Sequence, residues 1–397
     1  MKNKRFSMAT IALLIGVILS SCGVEEINQE RDQEIVNQIK KMSLEEKIGQ
    51  MMIVGVEGYA LNSSTKKMIV DKKVGGFVIL GNNVRTSKQL FDLVNSLKST
   101  NKQENRIPLF LSIDEEGGRI TRFPEELRKL PSNKEIGELD NQEVAYQIGR
   151  LQAEKLKLFG LNMNFAPVLD VNSNPKNPII GDRSYGNNPE VVSRLGVQTM
   201  KGIQENGIIP VLKHFPGHGD TIVDSHQGLP SVSHDINRLE NLELVPFQEA
   251  IDEQAEVVMT AHILLPKLDA THPATMSKKI ITDLLREELH FDGIVITDDM
   301  TMKAISANYG ISEAAVATVQ AGSDMIMVAH NHQKGIEAYE ALLNAVKKGE
   351  LSEERIDKSV YRILNVKKKY QLSDERSPFG PIRDINEKIG TLLMEHF

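Results

Sequence analysis

A fourteen-residue segment from Lys213 to His226 holds three of the ten histidines of the chain. Its titratable residues are Lys213, His214, His218, Asp220, Asp224 and His226. Glycines and a proline interrupt the segment, so it cannot be a buried helix. It follows the apolar run 208–212, which is typical of a buried strand. Active sites of α/β barrels lie on loops that follow buried strands, so we expect the chemistry of the protein here.

One interpretation of the segment is a metal site. The imidazoles of His214, His218 and His262, with the nearby carboxylates, are suitable ligands for zinc or another divalent ion. However, the chain between His214 and His218 contains Pro216 and Gly217. The two rings therefore do not lie one helical turn apart, as they do in the H-E-x-x-H motif. The residues alone leave the metal interpretation open.

A second interpretation is glycosidic or acyl transfer without a metal. Asp298 could act as the nucleophile and a histidine of the segment as the proton donor. Asp224 and His226 are separated by one residue, and a carboxylate beside an imidazole fixes its tautomer and stabilises its charged form. The Asp-x-His spacing also occurs by chance, so it does not decide between the two chemistries.

The elements that position these residues are eight short apolar runs, each followed by glycine, asparagine or aspartate and then by a helical pattern. The runs are 51–54, 77–80, 109–112, 163–167, 208–212, 257–260, 293–297 and 324–328. This alternation predicts an α/β fold, a (β/α)8 TIM-type barrel that forms a single catalytic domain over residues 32–372. An open doubly wound sheet is the alternative, but its nucleotide-binding glycine motifs are missing from the sequence. Residues 373–397 are predicted to form a C-terminal arm or a mobile tail.

Polar residues follow five of these predicted strands. They are 114–119, Asp170, 213–226, His262, and Asp298 with Asp299. An aspartate after a strand is more often a helix cap or a turn residue than a catalyst. Because five strand ends carry such groups, and a barrel brings them to one rim, the pattern favours an enzyme.

Composition narrows the classes of partner. The 397 residues are 40% hydrophobic and 25% charged, with a net charge of −7, as in a globular protein. The chain contains no basic run interleaved with aromatic residues, so we predict no nucleic-acid partner.

The N-terminus has the pattern of an export signal. Lys2, Lys4 and Arg5 precede the apolar stretch 11–19, and small residues then lead to Cys22, the only cysteine of the chain. This order resembles the lipobox of a bacterial lipoprotein, although an ordinary signal peptide with a chance cysteine remains the alternative. We therefore expect a signal peptide over residues 1–21, lipid on Cys22 and a tether over residues 22–31. The protein would then be exported and lipid-anchored at the extracytoplasmic face of the cell membrane.

From about Met42 to Tyr370 the sequence resembles family 3 glycoside hydrolases of the β-N-acetylglucosaminidase type. Five motifs carry the resemblance: Asp114-Glu-Glu-Gly-Gly-Arg119, Asp182-Arg-Ser-Tyr-Gly186, Lys213-His-Phe-Pro-Gly-His-Gly219, Asp224-Ser-His226 and Thr297-Asp-Asp-Met300. Each motif lies at a predicted strand end or in the loop that follows it.

The resemblance implies a retaining mechanism without a metal or any other cofactor. Asp298 would be the nucleophile, and His226, with Asp224 as its partner, would be the acid and base. The residues that would bind the terminal N-acetylglucosamine are Asp114, Arg122, Arg183, Lys213 and His214. An internal salt bridge at the barrel rim is an equally good account of Arg122 alone. His218 and Asp220 match the motif but are expected to shape the loop.

The sequence departs from the family pattern at Glu115, where glutamine is usual, and the extra carboxylate could alter the charge preference for substrate. The chain also ends soon after the barrel, which favours Asp224 and His226 as the sole acid/base pair. We therefore expect an exo-acting β-N-acetylglucosaminidase that acts on N-acetylglucosamine-containing cell-wall fragments. A β-glucosidase, a phosphorylase of the same family and a non-catalytic sugar-binding surface lipoprotein remain alternatives.

Overall fold

The computed structural model describes residues 30–397. The predicted signal peptide, the predicted lipid attachment at Cys22 and most of the predicted tether therefore lie outside the described residues. The chain divides into two units, Met1–Met42 and Ser43–Phe397. In the described part of the first unit, residues 30–39 form a helix, α1. Across residues 30–397, every helix is too short or too polar to cross a membrane.

The second unit contains a sheet of nine parallel strands. These are β1 Met52–Gly55, β2 Gly76–Ile79, β3 Phe110–Ile113, β6 Met163–Asn164, β7 Ile209–Pro210, β8 Leu212–Phe215, β9 Val257–Thr260, β10 Ile294–Asp299 and β11 Met325–Val328. A separate antiparallel pair, β4 Glu115–Gly117 and β5 Ile120–Thr121, follows β3. The sheet order is β7-β6-β3-β2-β1-β11-β10-β9-β8. Helices lie between successive strands of this sheet everywhere except between β7 and β8, and this nearly closed parallel sheet confirms the predicted (β/α)8 barrel.

The predicted fifth strand forms both edges of the sheet. Its first part, β7, pairs with β6, and its second part, β8, pairs with β9. Only Val211 separates the two parts, and a bridge between Val168 and Lys213 spans the remaining gap. Pro210, which has no N–H to donate, lies where the strand changes partner. The barrel therefore closes through one continuous stretch of chain, which leads directly into the segment 213–226.

Helices surround the sheet. They are α2 Leu44–Gln50, α3 Ser63–Val70, α4 Ser87–Glu104, α5 Asn133–Leu139, α6 Gln142–Phe159, α7 Pro189–Glu205, α8 Ile236–Asn241, α9 Val245–Asp252, α10 Lys303–Ser306, α11 Ile311–Ala321, α12 His332–Lys347, α13 Glu353–Lys369 and α14 Ile382–His396. A π-helix, Lys279–Glu288, precedes β10. The first helix of the barrel begins with a capping box, in which Ser43 and Glu46 each bond the backbone N–H of the other.

Residues 373–397 contain α14. Its side chains Ile385, Ile389 and Leu392 are buried in a cluster that also contains Ile148 and Leu151 of α6. Apolar burial on one face of α14 attaches this part of the chain to the outside of the barrel.

Candidate active site

A cavity of about 710 Å³ opens at the carboxyl ends of the barrel strands. It is lined by all eight residues that the sequence predicts for catalysis or sugar binding: Asp114, Arg122, Arg183, Lys213, His214, Asp224, His226 and Asp298. These residues come from four widely separated parts of the sequence, and the parallel barrel brings their strand ends to one rim. The wall also contains apolar side chains, among them Phe165, Met259 and Met327. Charged groups beside apolar surface are typical of a site for a polar ligand with one less polar face.

A network of paired charges forms one side of the cavity. Lys213 donates from Nζ to Asp114 Oδ1 at 2.7 Å and lies 2.7 Å from Glu116 Oε1. Arg183 donates two hydrogen bonds to the Glu116 carboxylate, both 2.8 Å long. Arg122 lies farther away, with its Nε 3.9 Å from Asp114 Oδ2. Bidentate pairing holds Arg183 in one orientation, so the cavity wall is organised before any ligand arrives.

The same network fixes the charges of its members. Burial alone would raise the pKa of Glu116, but the cations Arg183 and Lys213 outweigh burial and hold that pKa far below its usual range. Burial alone would lower the pKa of Lys213, but Asp114 and Glu116 raise it instead. Both residues are therefore ionised at neutral pH. They present fixed charges that can accept from, and donate to, sugar hydroxyl and amide groups.

Glu115 lies in the same strand-end motif but does not reach the cavity. Its side chain is fully buried and forms an ion pair with Lys155 of α6, which is also fully buried. The Asn164 side chain forms two hydrogen bonds with the backbone of Glu115, donating to its carbonyl and accepting from its N–H. The expectation that this carboxylate alters the charge preference for substrate is therefore wrong, because Lys155 neutralises it behind the cavity wall.

Asp298 comes from the carboxyl end of β10. The backbone N–H of Asp299 donates to its Oδ1 at 2.7 Å. Burial alone would raise the pKa of Asp298, but His262, His214 and this backbone N–H lower it. Asp298 is therefore an ionised, partly buried carboxylate that lines the cavity, which is the state that a nucleophile requires.

Asp299, the neighbour of Asp298, is held by the backbone. Its Oδ1 accepts from the N–H groups of Thr301 and Ala329 at 3.0 and 2.9 Å, and its Oδ2 accepts from the Thr301 hydroxyl. These bonds connect the ends of β10 and β11. Asp299 consequently positions the loops, whereas Asp298 keeps its carboxylate free of side-chain donors among the described residues.

Asp224 and His226 form the second candidate catalytic pair. Asp224 Oδ1 accepts from both the backbone N–H and the Nδ1 of His226, at 2.8 and 2.9 Å. Burial alone would raise the pKa of Asp224, but the hydrogen bonds from His226 lower it, so the carboxylate is ionised. The His226 side chain is 68% exposed. Because Nδ1 faces Asp224, Nε2 is the nitrogen that can donate a proton from the charged ring, or accept one in the neutral ring, at the mouth of the cavity.

The other histidines have separate partners. His214 bonds Asp170, His218 bonds Thr221 and His262 bonds Thr275. Burial lowers the pKa of His218 to about 4, so this ring is neutral. Its bond to Thr221 lies within the segment 213–226 and helps to hold the loop in shape. In residues 30–397, no group of three or more histidine, cysteine or carboxylate side chains is arranged to hold a metal ion.

Two residues of the site are expected from the sequence at the barrel rim, but the sequence predicts no catalytic or binding role for them. Glu116 joins Arg183 to Lys213, and Asp170 holds His214 at 2.6 Å. The sequence carries a signal for each, because Glu116 lies inside the strand-end motif and Asp170 follows the fourth predicted strand. Side chains alternate along an extended strand, and the sequence does not show which face of β4 meets the cavity.

The chain is similar to a known protein family over most of its length. The profile described as "Glycosyl hydrolase family 3 N terminal domain" matches residues 43–366, which covers most of the chain. The match begins at the capping box of α2 and ends inside α13.

Individual proteins are also similar. The chain is 38% identical over 317 residues to beta-hexosaminidase A of Pseudoalteromonas piscicida, and the match covers 73% of this chain but only 52% of that protein. A beta-hexosaminidase of Nitrosomonas eutropha is 32% identical over 79% of this chain and 91% of its own length. The structure of a glycoside hydrolase family 3 beta-N-acetylglucosaminidase from Paenibacillus sp. str. FPU-7 aligns with a TM-score of 0.84 and 40% identity, over 89% of this chain and 69% of that one.

Proposed function

This chain belongs to glycosyl hydrolase family 3, and on that premise we propose that it is a retaining exo-β-N-acetylglucosaminidase. One observation carries the proposal: an ionised Asp298 shares one cavity with the Asp224–His226 pair and with the charged wall of Lys213 and Arg183. The similarity to proteins named as hexosaminidases and to a β-N-acetylglucosaminidase structure supports the same class of substrate.

The reaction would proceed in two steps. A carboxylate oxygen of Asp298 attacks the anomeric carbon and forms a covalent bond, while the bond from that carbon to the leaving oxygen breaks. The leaving oxygen takes the proton from His226 Nε2, and Asp224 stabilises the imidazolium form beforehand. Water then attacks the anomeric carbon as His226 takes its proton, and the Asp298 carboxylate is released.

The charged wall would hold the terminal sugar. Asp114 can accept from sugar hydroxyl groups, while Lys213, Arg183 and Arg122 can donate to hydroxyl and amide oxygens. Fixed dipoles and charges favour the transition state because they need not reorganise during the reaction. An exo mode of attack agrees with the ion pairs that form part of the cavity wall and with the exposed position of His226 in the same cavity.

We expect the purified protein to release 4-nitrophenol from the N-acetylglucosaminide at least about tenfold faster than from the glucoside, as judged by kcat/KM. Added phosphate should leave the rate unchanged and should yield no sugar phosphate. The comparison uses initial rates with each glycoside, with and without phosphate, and chromatography of the product. A faster reaction with the glucoside, or formation of a sugar phosphate, would replace the proposal with one of the alternatives. Muropeptides bearing terminal N-acetylglucosamine are the natural substrates that we propose, and their digestion is followed in the same way.

We also propose that the protein is exported and anchored by lipid on Cys22. Two acyl chains or more would be needed to hold it firmly at a membrane surface. In a bacterial host, we expect the native chain in the membrane fraction and Cys22→Ser in the soluble or uncleaved form, with radiolabelled palmitate incorporated only into the native chain. Equal labelling and equal fractionation of the two proteins would refute the anchor without affecting the catalytic proposal.

A further inference from the structure

Asp170 is a buried carboxylate that directly contacts the segment 213–226. Its residue is completely buried, and its carboxylate accepts three hydrogen bonds from that segment. Oδ1 accepts from the backbone N–H groups of His214 and His218 at 3.2 and 2.6 Å. Oδ2 lies 2.6 Å from His214 Nδ1. One side chain therefore controls both the backbone path and one ring of the segment.

The two neighbours of the His214 ring require the same tautomer. An ionised carboxylate can only accept, so Asp170 requires a proton on Nδ1. On the other side of the ring, Arg183 NH2 lies 3.5 Å from Nε2. A guanidinium can only donate, so Arg183 is compatible with a bare Nε2 and opposes an N–H there.

The charge of Asp170 is consistent with this arrangement. Burial alone would raise the pKa of Asp170, but His214 and the N–H of His218 lower it, so the carboxylate is ionised. His214 is itself nearly buried and lines the cavity beside Arg183. Nδ1 of the His214 ring thus bonds the buried Asp170, and Nε2 lies beside Arg183 at the cavity wall.

We propose that Asp170 is a positioning residue that holds His214 as the Nδ1–H tautomer, so that the Nε2 lone pair can accept a hydrogen bond from a hydroxyl or N–H group of the bound sugar. The ligand in this statement rests on the proposed function, whereas the tautomer does not. Asp170 touches no cavity surface that a sugar could reach, so its effect on the reaction passes through His214.

The isosteric variant Asp170→Asn tests the role. If its oxygen keeps the two backbone N–H bonds, its NH2 group replaces Oδ2 and faces Nδ1. The ring must then accept at Nδ1 and carry its proton on Nε2, where the N–H meets the Arg183 guanidinium. A wrong tautomer costs about 10⁴-fold where the histidine transfers the proton. Here His214 binds the sugar, so we expect kcat/KM to fall less, by about 10²-fold, mainly through a higher KM.

Nitrogen-15 NMR of the imidazoles separates the tautomer from a loss of structure. In the native protein at pH 7.5, we expect His214 to show a protonated Nδ1 and a bare Nε2, and Asp170→Asn to show the reverse. A protonated Nε2 in the native protein would overturn the proposal, and this result needs neither a folded variant nor any turnover. It is therefore distinct from a failure of the proposed glycosidase function.

A matched control is available in the same segment. Asp220 pairs with His234 at 2.9 Å, and neither residue lines the cavity. Asp220→Asn should keep kcat/KM within about threefold and leave the His214 signals unchanged. Equal losses in the two variants, or a folded Asp170→Asn protein with native KM, would also overturn the proposal.

Discussion

Asp298→Ala lowers kcat for N-acetylglucosaminides by at least about 10⁴-fold, because the covalent intermediate can no longer form. Sugar binding survives, since the wall of Asp114, Glu116, Arg183 and Lys213 does not depend on Asp298 for any of its hydrogen bonds. Steady-state kinetics gives the first quantity, and calorimetric titration with N-acetylglucosamine gives the second. Retained full turnover would refute the assignment of Asp298 as nucleophile.

Azide distinguishes a missing nucleophile from a damaged site. In Asp298→Ala, the space left by the carboxylate admits a small anion, which attacks the same face of the anomeric carbon. We expect azide to restore part of the rate with an activated aryl glycoside and to yield the α-glycosyl azide, a product of inverted configuration. Asp292→Ala is the control, because Asp292 precedes the same strand but is exposed and pairs with Arg362. This control should retain the native kcat.

Much of the fold can be predicted from the sequence because each buried strand is a short apolar run with a polar residue at its end. β1, β2, β9 and β11 lie within one residue of the runs that predict them. The fifth run, 208–212, is different, since it contains β7 and only the first residue of β8, which continues to Phe215 and closes the barrel. Hydrophobicity cannot reveal the division into β7 and β8, because both parts are equally buried.

The π-helix Lys279–Glu288 is a second feature that the sequence does not specify, because the helical pattern before the run 293–297 equally fits an α-helix. Leu289 N–H bonds the Leu284 carbonyl, five residues back. Adjacent pairs of buried residues, Ile280 with Ile281 and Leu284 with Leu285, thereby share one face. The apolar spacing fits either helix, so packing against the barrel decides between them.

For the candidate site, sequence predicts which residues meet but not which of them have a free side chain. Asp114, Glu115 and Glu116 are adjacent carboxylates, yet only the first and third line the cavity, whereas the second is neutralised by Lys155. The charge and position of each carboxylate depend on a cationic partner about 40 to 100 residues away in the chain. Spacing within a motif carries no information about such partners, so pairing has to be read from the structure.

The histidines of the segment 213–226 also differ in whether a ring nitrogen is free to transfer a proton. Only one of them is therefore expected to affect the proton-transfer step when it is replaced. His214 has both ring nitrogens beside protein groups, and His218 is buried and neutral. His226 is the exposed ring of the segment, with a carboxylate at Nδ1 and Nε2 at the cavity mouth. If His226 supplies the proton, its loss should depend on how much the leaving group needs one.

We therefore expect His226→Ala to lower kcat/KM by about 10³-fold for an alkyl N-acetylglucosaminide but by less than about tenfold for the dinitrophenyl glycoside. The ratio kcat/KM reports the first step, in which a dinitrophenolate leaves without acid help. With that substrate kcat should still fall, because water in the second step needs a base, and azide should restore it because azide needs none. His272→Ala is the control, since His272 is half exposed beside Asp269 and lies outside the cavity. Equal losses across leaving groups would mean that a group other than His226 donates the proton.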